Sequence, residues 1–322
     1  MKNYSQTIFY LLIILLLGCK KNDSDPEQPR VTSLEFKNDL LFVNKADFQI
    51  ETSVPAEFSS SDPKIQMTSD GLIHRITSSE VIAIDVTWKD RSLTPIRLYA
   101  LGATDDSFDP PYAAFHGNHA SDPYNAYLLG WETLQKLPVT NTTYAIILRH
   151  ADADDGVDFS KTTGPANWWK SCDPTEARQL NQQGKSRSTE LGKVFKDLQY
   201  NINRVFSSEF CRARTTAELI DAGPTIQIDN RLNHGSYNVS GGSIFGGIRN
   251  VLGEQPVDNT LTLVVTHHAG NEMIFQTFPE VSPFTWTGAY FIKIDPDGTL
   301  TYEGAASWGM FMYWRNKKLG LL

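Results

Sequence analysis

The chain has 322 residues, of which 40% are apolar and 20% charged, with a formal net charge of −8. That is longer than one ordinary domain needs and apolar enough to build a real core in at least one of two domains. The composition excludes a disordered chain, and the acidic balance removes any electrostatic reason to expect a nucleic-acid partner.

The first element is an apolar run from Ile8 to Leu17, preceded by Lys2 and followed by Gly18 and Cys19. It is too short to span a bilayer. This layout is that of a secretory signal peptide, and its "LLGC" ending resembles a bacterial lipobox, in which the cysteine is acylated and becomes the mature N-terminus. The resemblance implies a signal over 1–18, lipidation at Cys19 and a membrane-anchored protein of the bacterial cell envelope; an ordinary signal peptide cut nearby is the alternative. Of the three cysteines, Cys172 and Cys211 then remain. In an oxidising compartment they form one disulfide, our expectation, or stand as two thiols.

Residues 19–30 are polar, with Pro26 and Pro29, and read as a tether. From 31 to 104 short alternating runs such as "DFQIET" and "VIAIDVTW" are separated by Ser, Asp, Pro and Gly clusters, the pattern of an all-β sandwich. Within it "SSSDPKIQMTSDGLIHRI" resembles the core of bacterial Ig-like modules, with Asp70-Gly71 turning between two strands. His74, alone on a strand, is read as a surface or packing residue. Residues 105–143 read as a linker with one short helix at "GWETLQKLP". His116 and His119 in its "HGNH" have no carboxylate or cysteine following at ligand spacing, and no metal is expected there.

After Thr143, strands ("YAIILR", "RVFSS", "TIQID", "TLTLVVTH") alternate with helical patterns. Asn181 is a candidate cap for a helix running to Leu198, whose Leu191, Val194, Phe195 and Leu198 share one face. Further helices are expected near Cys211 and around Ile244 to Leu252, and a hairpin through Asp297-Gly298. The fold class over 144–322 is therefore α/β, a three-layer sandwich with a mostly parallel sheet.

Reactive residues in open α/β sheets gather beyond the carboxyl ends of the strands. Here "AIILRH" brings Arg149 and His150, "RVFSSEFCRAR" brings Ser207, Ser208 and Arg212, and "LTLVVTHHAGN" brings His267 and His268. Two arginines and two histidines meeting at one sheet edge would make a cationic pocket.

"LRHAD", "SSEFCRARTTAEL" and "VVTHHAGN", in that order, resemble the three signatures of the histidine phosphatase (phosphoglycerate mutase-like) superfamily. The likeness extends from about Tyr144 to Gly304 and includes the "QLNQQGKSRSTELG" helix. It implies a phosphomonoester hydrolase needing no metal or cofactor. His150 attacks phosphorus and carries the phosphoryl group. Arg149, Arg212, His267 and His268 bind the phosphate oxygens, and His267 is preferred to its neighbour for the second catalytic role. The substrate is a phosphorylated small molecule or glycan. A phosphomutase, or a binding module without turnover, is the alternative.

One departure concerns the acid that protonates the leaving oxygen. Many members place a glutamate in "L-x-E"; the text here is "RLNHG", with Asn233 where the acid is expected. Asp152 is preferred instead, two residues beyond His150, over Asp154, Asp155, Asp158 and Glu272. Trp168 and Trp169, on the insertion that follows, either cap a minor core or wall the substrate.

Overall fold

The computed structural model describes residues 28–34, 36–37, 40–43, 47–76, 80–102, 123–137, 142–160, 162–223, 225–234, 244–267 and 286–322. The expected signal peptide, Cys19, most of the tether, His116, His119, His268 and Glu272 lie outside them.

The N-terminal part is built from strands β1 (Phe36–Lys37), β2 (Leu40–Val43), β3 (Phe48–Gln49), β4 (Ala56–Ser59), β5 (Ile65–Met67), β6 (Leu72–Ile76), β7 (Ile82–Trp88) and β8 (Ile96–Gly102). They form a five-stranded sheet, β1-β2-β8-β7-β4, and a three-stranded one, β3-β6-β5. Alternation decides which side chains meet between the sheets: in β7, Ile82, Ile84, Val86 and Trp88 are buried while Asp85 is exposed. These residues share a core with Leu41, Phe58, Ile73 and Ala100. The Asp70-Gly71 turn joins β5 to β6, with Gly71 at φ +91°. There a left-handed backbone is needed and a side chain would also strike the Phe58 ring. His74 faces outward to an exposed pairing with Asp47 at 2.6 Å.

Strand β2 explains how this part meets the rest. All four of its residues, "LLFV", are buried, because each face packs on something different. Leu41 and Val43 face the first core, whereas Leu40 and Phe42, with Leu101, join the larger core containing Trp131 and Tyr313. Trp131 Nε1 also donates to the Lys37 carbonyl oxygen at 3.3 Å.

The remaining elements are α1 (Pro123–Lys136), β9 (Thr143–Arg149), α2 (Gln182–Asp197), β10 (Ile202–Ser207), α3 (Cys211–Ile220), β11 (Ile226–Ile228), α4 (Ile244–Gly253), β12 (Leu261–Thr266), β13 (Ala289–Ile294), β14 (Leu300–Ala306) and α5 (Trp308–Lys318). Their sheet has the order β11-β10-β12-β9-β13-β14. The pairings β11-β10, β10-β12 and β12-β9 are parallel, and β9-β13 and β13-β14 antiparallel. Both β9 and β12 are buried at every residue, as strands covered on both faces must be.

Helix α1 lies inside the segment expected to be a linker and is longer than the sequence suggests. It starts at Pro123, because a proline at the first helical position loses no hydrogen bond. Helix α5 was not anticipated. Its Met310, Phe311, Tyr313 and Trp314 are buried on several sides, so no single apolar stripe marks it, and its signal is Ser307, whose Oγ accepts from Met310 N at 3.3 Å. Helix α2 begins as expected, with Asn181 Oδ1 accepting from Gly184 N at 2.8 Å.

Candidate active site

Because β9, β10 and β12 run parallel in register, their last residues arrive together. Arg149 lies opposite Thr266, and Ser207 opposite Val265. The ladder continues one bond further, with His150 N donating to the Thr266 carbonyl at 2.8 Å and Ser208 N to that of Val265 at 3.1 Å. His150 and His267 are thus delivered side by side, their ring centroids 5.1 Å apart.

His150 is buried, and its two nitrogens have different surroundings. Nδ1 lies 2.8 Å from the Ala151 carbonyl oxygen, which only accepts, so Nδ1 carries the proton. Nε2 is then the bare nitrogen, and it accepts from Arg212 Nε at 3.2 Å. Burial first, then the charges of Arg212 and Arg149, push the imidazole well below its ordinary value, keeping it neutral. A neutral, oriented imidazole beside guanidiniums is a nucleophile for an electrophilic anion.

Arg212 comes from the first turn of α3, with its guanidinium 4.5 Å from the Phe210 ring. Asp158 Oδ1 accepts from its Nη1 at 3.1 Å, and the other oxygen of Asp158 holds Arg178 at 2.9 Å. Arg149 is buried with its guanidinium 5.3 Å from the Trp286 ring. His267 Nε2 is 2.9 Å from Ser208 Oγ, and its ring packs on Phe210 at 4.6 Å.

The insertion after His150 is pinned to this cluster by the Cys172–Cys211 disulfide, with Cα atoms 5.3 Å apart. Trp168 is buried in a small core with Ala177 and Phe210, and Trp169 Nε1 donates to Glu209 Oε2 at 3.3 Å. Of the two alternatives, Trp168 takes the minor core, where it supports Phe210, which in turn packs against Arg212 and His267.

Asp152, the acid that the sequence reading prefers, is paired with helix α2. It is buried, and its Oδ1 accepts from Arg187 Nη1 on α2 at 2.9 Å. Arg187 lies against the Trp308 ring and reaches Glu80 of the N-terminal part at 3.5 Å. A carboxylate that neutralises a buried arginine is a poor proton donor, since protonating it strands that charge. Asp154 bonds Asn181 at 2.7 Å, and Asp155 bridges to Gln179. Asn233 is buried and structural: its Oδ1 accepts from Glu209 N at 2.9 Å and its Nδ2 donates to Glu209 Oε2 at 2.8 Å.

The sequence reading missed two residues. Arg178 is supplied by the insertion, where nothing local marks it. His234, next to Asn233, has its ring 5.8 Å from that of His267; counting "L-x-E" from Leu232 would have landed on it.

A largely parallel sheet, its central strands buried on both faces, carries this cluster of arginines and histidines at its carboxyl edge and defines an α/β domain. Comparison with known families agrees: residues 145–249 match the histidine phosphatase superfamily (branch 1), so the chain contains a domain of that superfamily. The match takes in Arg149, His150, Arg212 and His234 and stops before His267. No curated protein matches the chain. Among solved structures, the protein histidine phosphatase SixA complexed with tungstate is 21% identical, covering 51% of this chain and 97% of that one, with a TM-score of 0.37. Phosphoserine phosphatase from Entamoeba histolytica in complex with 3-phosphoglyceric acid is 14% identical over 52% and 99%, with a TM-score of 0.36. Phosphoglycerate mutase from Plasmodium falciparum is 16% identical over 50% and 89%, with a TM-score of 0.31.

Proposed function

We propose that the chain is an exported phosphomonoester hydrolase acting through a covalent phosphohistidine on His150, with Arg149, Arg212 and His267 binding the phosphate and His268 lining the pocket. The observation that carries this reading is the state of His150: neutral, with Nδ1 committed to a carbonyl and the bare Nε2 held against Arg212. Among the described residues Arg149, Arg178 and Arg212 all act on His150, and Asp158 pairs with two of these three. That positive charge suits a phosphomonoester dianion, and planar guanidiniums suit its oxygens.

The chemistry then runs in two steps. His150 Nε2 attacks phosphorus while the ester oxygen leaves with its electron pair, and the arginines take up the charge that spreads over the non-bridging oxygens. Water next attacks the phosphohistidine and returns the electron pair to Nε2. Cys19 serves as the lipid anchor at the cell envelope, residues 19–30 as tether, and 31–104 as an Ig-like spacer preceding a catalytic unit over 144–322. A phosphorylated small molecule or glycan is the substrate.

Hydrolysis of 4-nitrophenyl phosphate tests the reading. We expect turnover by the unsubstituted chain, and loss of at least about a hundredfold in His150→Ala. Retained turnover in that variant would show that another group is the nucleophile.

A further inference from the structure

We propose that Arg178 is a third arginine of the phosphate site, and that Asp158 is a built-in competitor whose carboxylate holds the place of the substrate's phosphate until that phosphate displaces it. The inference rests on the phosphohydrolase reading above.

The first ground is the way Asp158 is held. Its Oδ1 accepts from Arg212 Nη1 at 3.1 Å and its Oδ2 from Arg178 Nη2 at 2.9 Å. Arg212 also donates through Nε to His150 Nε2 at 3.2 Å. Phosphorus has to reach that same Nε2 to be attacked, so its non-bridging oxygens meet the guanidinium on which Asp158 sits. A phosphate dianion brings more charge and one more oxygen to these donors than a carboxylate does.

Arg178 supplies the second ground. Its Nε is buried without a hydrogen-bond partner among the described residues, a state that costs free energy until an acceptor arrives. Its charge acts on His150, so the donor belongs to the field of the pocket. The backbone that carries it is fixed independently of Asp158. Ala177 is buried beside Trp168 and Phe210; Gln179 N donates to the Asp155 carbonyl, and Gln179 Nε2 to that of Ser171 at 3.2 Å. Arg178 therefore keeps its position when its carboxylate partner leaves.

The third ground is that Asp158 has somewhere to go. Its side chain is 30% exposed, against 5% for Arg212, so the carboxylate can turn into water while the guanidinium stays. Two residues earlier, Gly156 runs at φ +91° so close to the Pro174 carbonyl that a Cβ there would overlap it. That contact pins the loop, and the exchange asks for rotation of a side chain rather than movement of the backbone. Until then Asp158 offsets the repulsion between two arginines, and an arriving phosphate has to break two charge-assisted bonds before it makes its own.

Isothermal titration calorimetry of inorganic phosphate into the full-length chain tests this without relying on turnover. The unsubstituted protein is compared with Asp158→Asn, with Asp158→Ala, and with Arg178→Gln added to Asp158→Asn. Removing the competitor should tighten phosphate by about tenfold, and removing Arg178 in that background should then cost about tenfold or more. Phosphate should also raise the Tm of Asp158→Asn by more than that of the unsubstituted chain, which at the same time shows that the variant is folded. Weaker or unchanged phosphate binding in either Asp158 variant would overturn the competitor role, because a carboxylate that only orients the arginines helps the ligand to bind. Unchanged binding on adding Arg178→Gln would remove Arg178 from the site. The expected order of affinities without hydrolysis of 4-nitrophenyl phosphate would overturn the hydrolase reading and keep this one. Hydrolysis of that ester with the order reversed would do the opposite.

Discussion

At the scale of single residues, the pocket depends on which nitrogen of His150 is bare and which cations surround it. Arg149→Ala and Arg212→Ala should each cost at least about 2 kcal/mol in kcat/KM, through lost charge-assisted bonds; steady-state kinetics on an aryl phosphate checks this, and wild-type behaviour of either would mean that its guanidinium does not meet the phosphate. The same environment makes stability depend on pH. The folded His150 has its imidazole well below 6.5, with His234 lowered in the same direction. The unfolded chain therefore binds more protons than the folded one below that pH. Stability is fully present above about 6.5 and is lost as pH falls toward the folded values, at up to about 1.4 kcal/mol per pH unit for each group. Denaturant melts between pH 7 and 5 should show that slope, reduced in His150→Asn.

Individual elements carry the next set of consequences. The disulfide closes a loop of sequence separation 39 between the insertion and the start of α3. Its removal should cost about 4 kcal/mol in the chain-entropy model. Because Cys211 adjoins Arg212, and Phe210 touches both Arg212 and His267, Cys172→Ser with Cys211→Ser should lower kcat as well as Tm; unchanged kinetics would show that the Trp168 core holds the arginine unaided. Helix α2 reaches the nucleophile loop in two ways: through the Arg187–Asp152 pair, and through Gly184, where a Cβ would overlap the Asp152 carbonyl oxygen. Arg187→Met should destabilise the fold by about 3 to 5 kcal/mol, because it leaves the Asp152 carboxylate buried without its cation.

These elements also show what was legible beforehand. Arg149, His150, Arg212 and His267 could be read because each sits at a strand end or helix start within a short motif, where backbone geometry alone brings it to the sheet edge. Arg178 could not, since an insertion has no periodicity to say which side chains turn inward; Asp158 was legible only as one of several acids there, not as the partner of Arg178 and Arg212. His234 hid behind Asn233 because a one-residue shift in a loop reverses which side chain faces the pocket. Helix α5 and the first turn of α1 escaped for a different reason: one is apolar on too many sides to show an amphipathic stripe, and the other opens with a proline that reads as a break.

For the whole molecule, the decisive feature is that Leu40, Phe42 and Leu101 of the N-terminal part belong to the core that also holds Trp131 and Tyr313, and that Glu80 reaches Arg187. A β-module joined in this way should unfold together with the α/β part, giving one calorimetric transition; two separated transitions would show that the shared core contributes little. Catalysis as proposed turns on the covalent step at His150. Rapid quenching of the full chain with radiolabelled aryl phosphate, followed by peptide mapping under alkaline conditions that preserve phosphohistidine, tests it most directly. Label is expected on the peptide containing His150, and none in His150→Asn. Steady turnover with no labelled protein, or label that persists in His150→Asn, would contradict it.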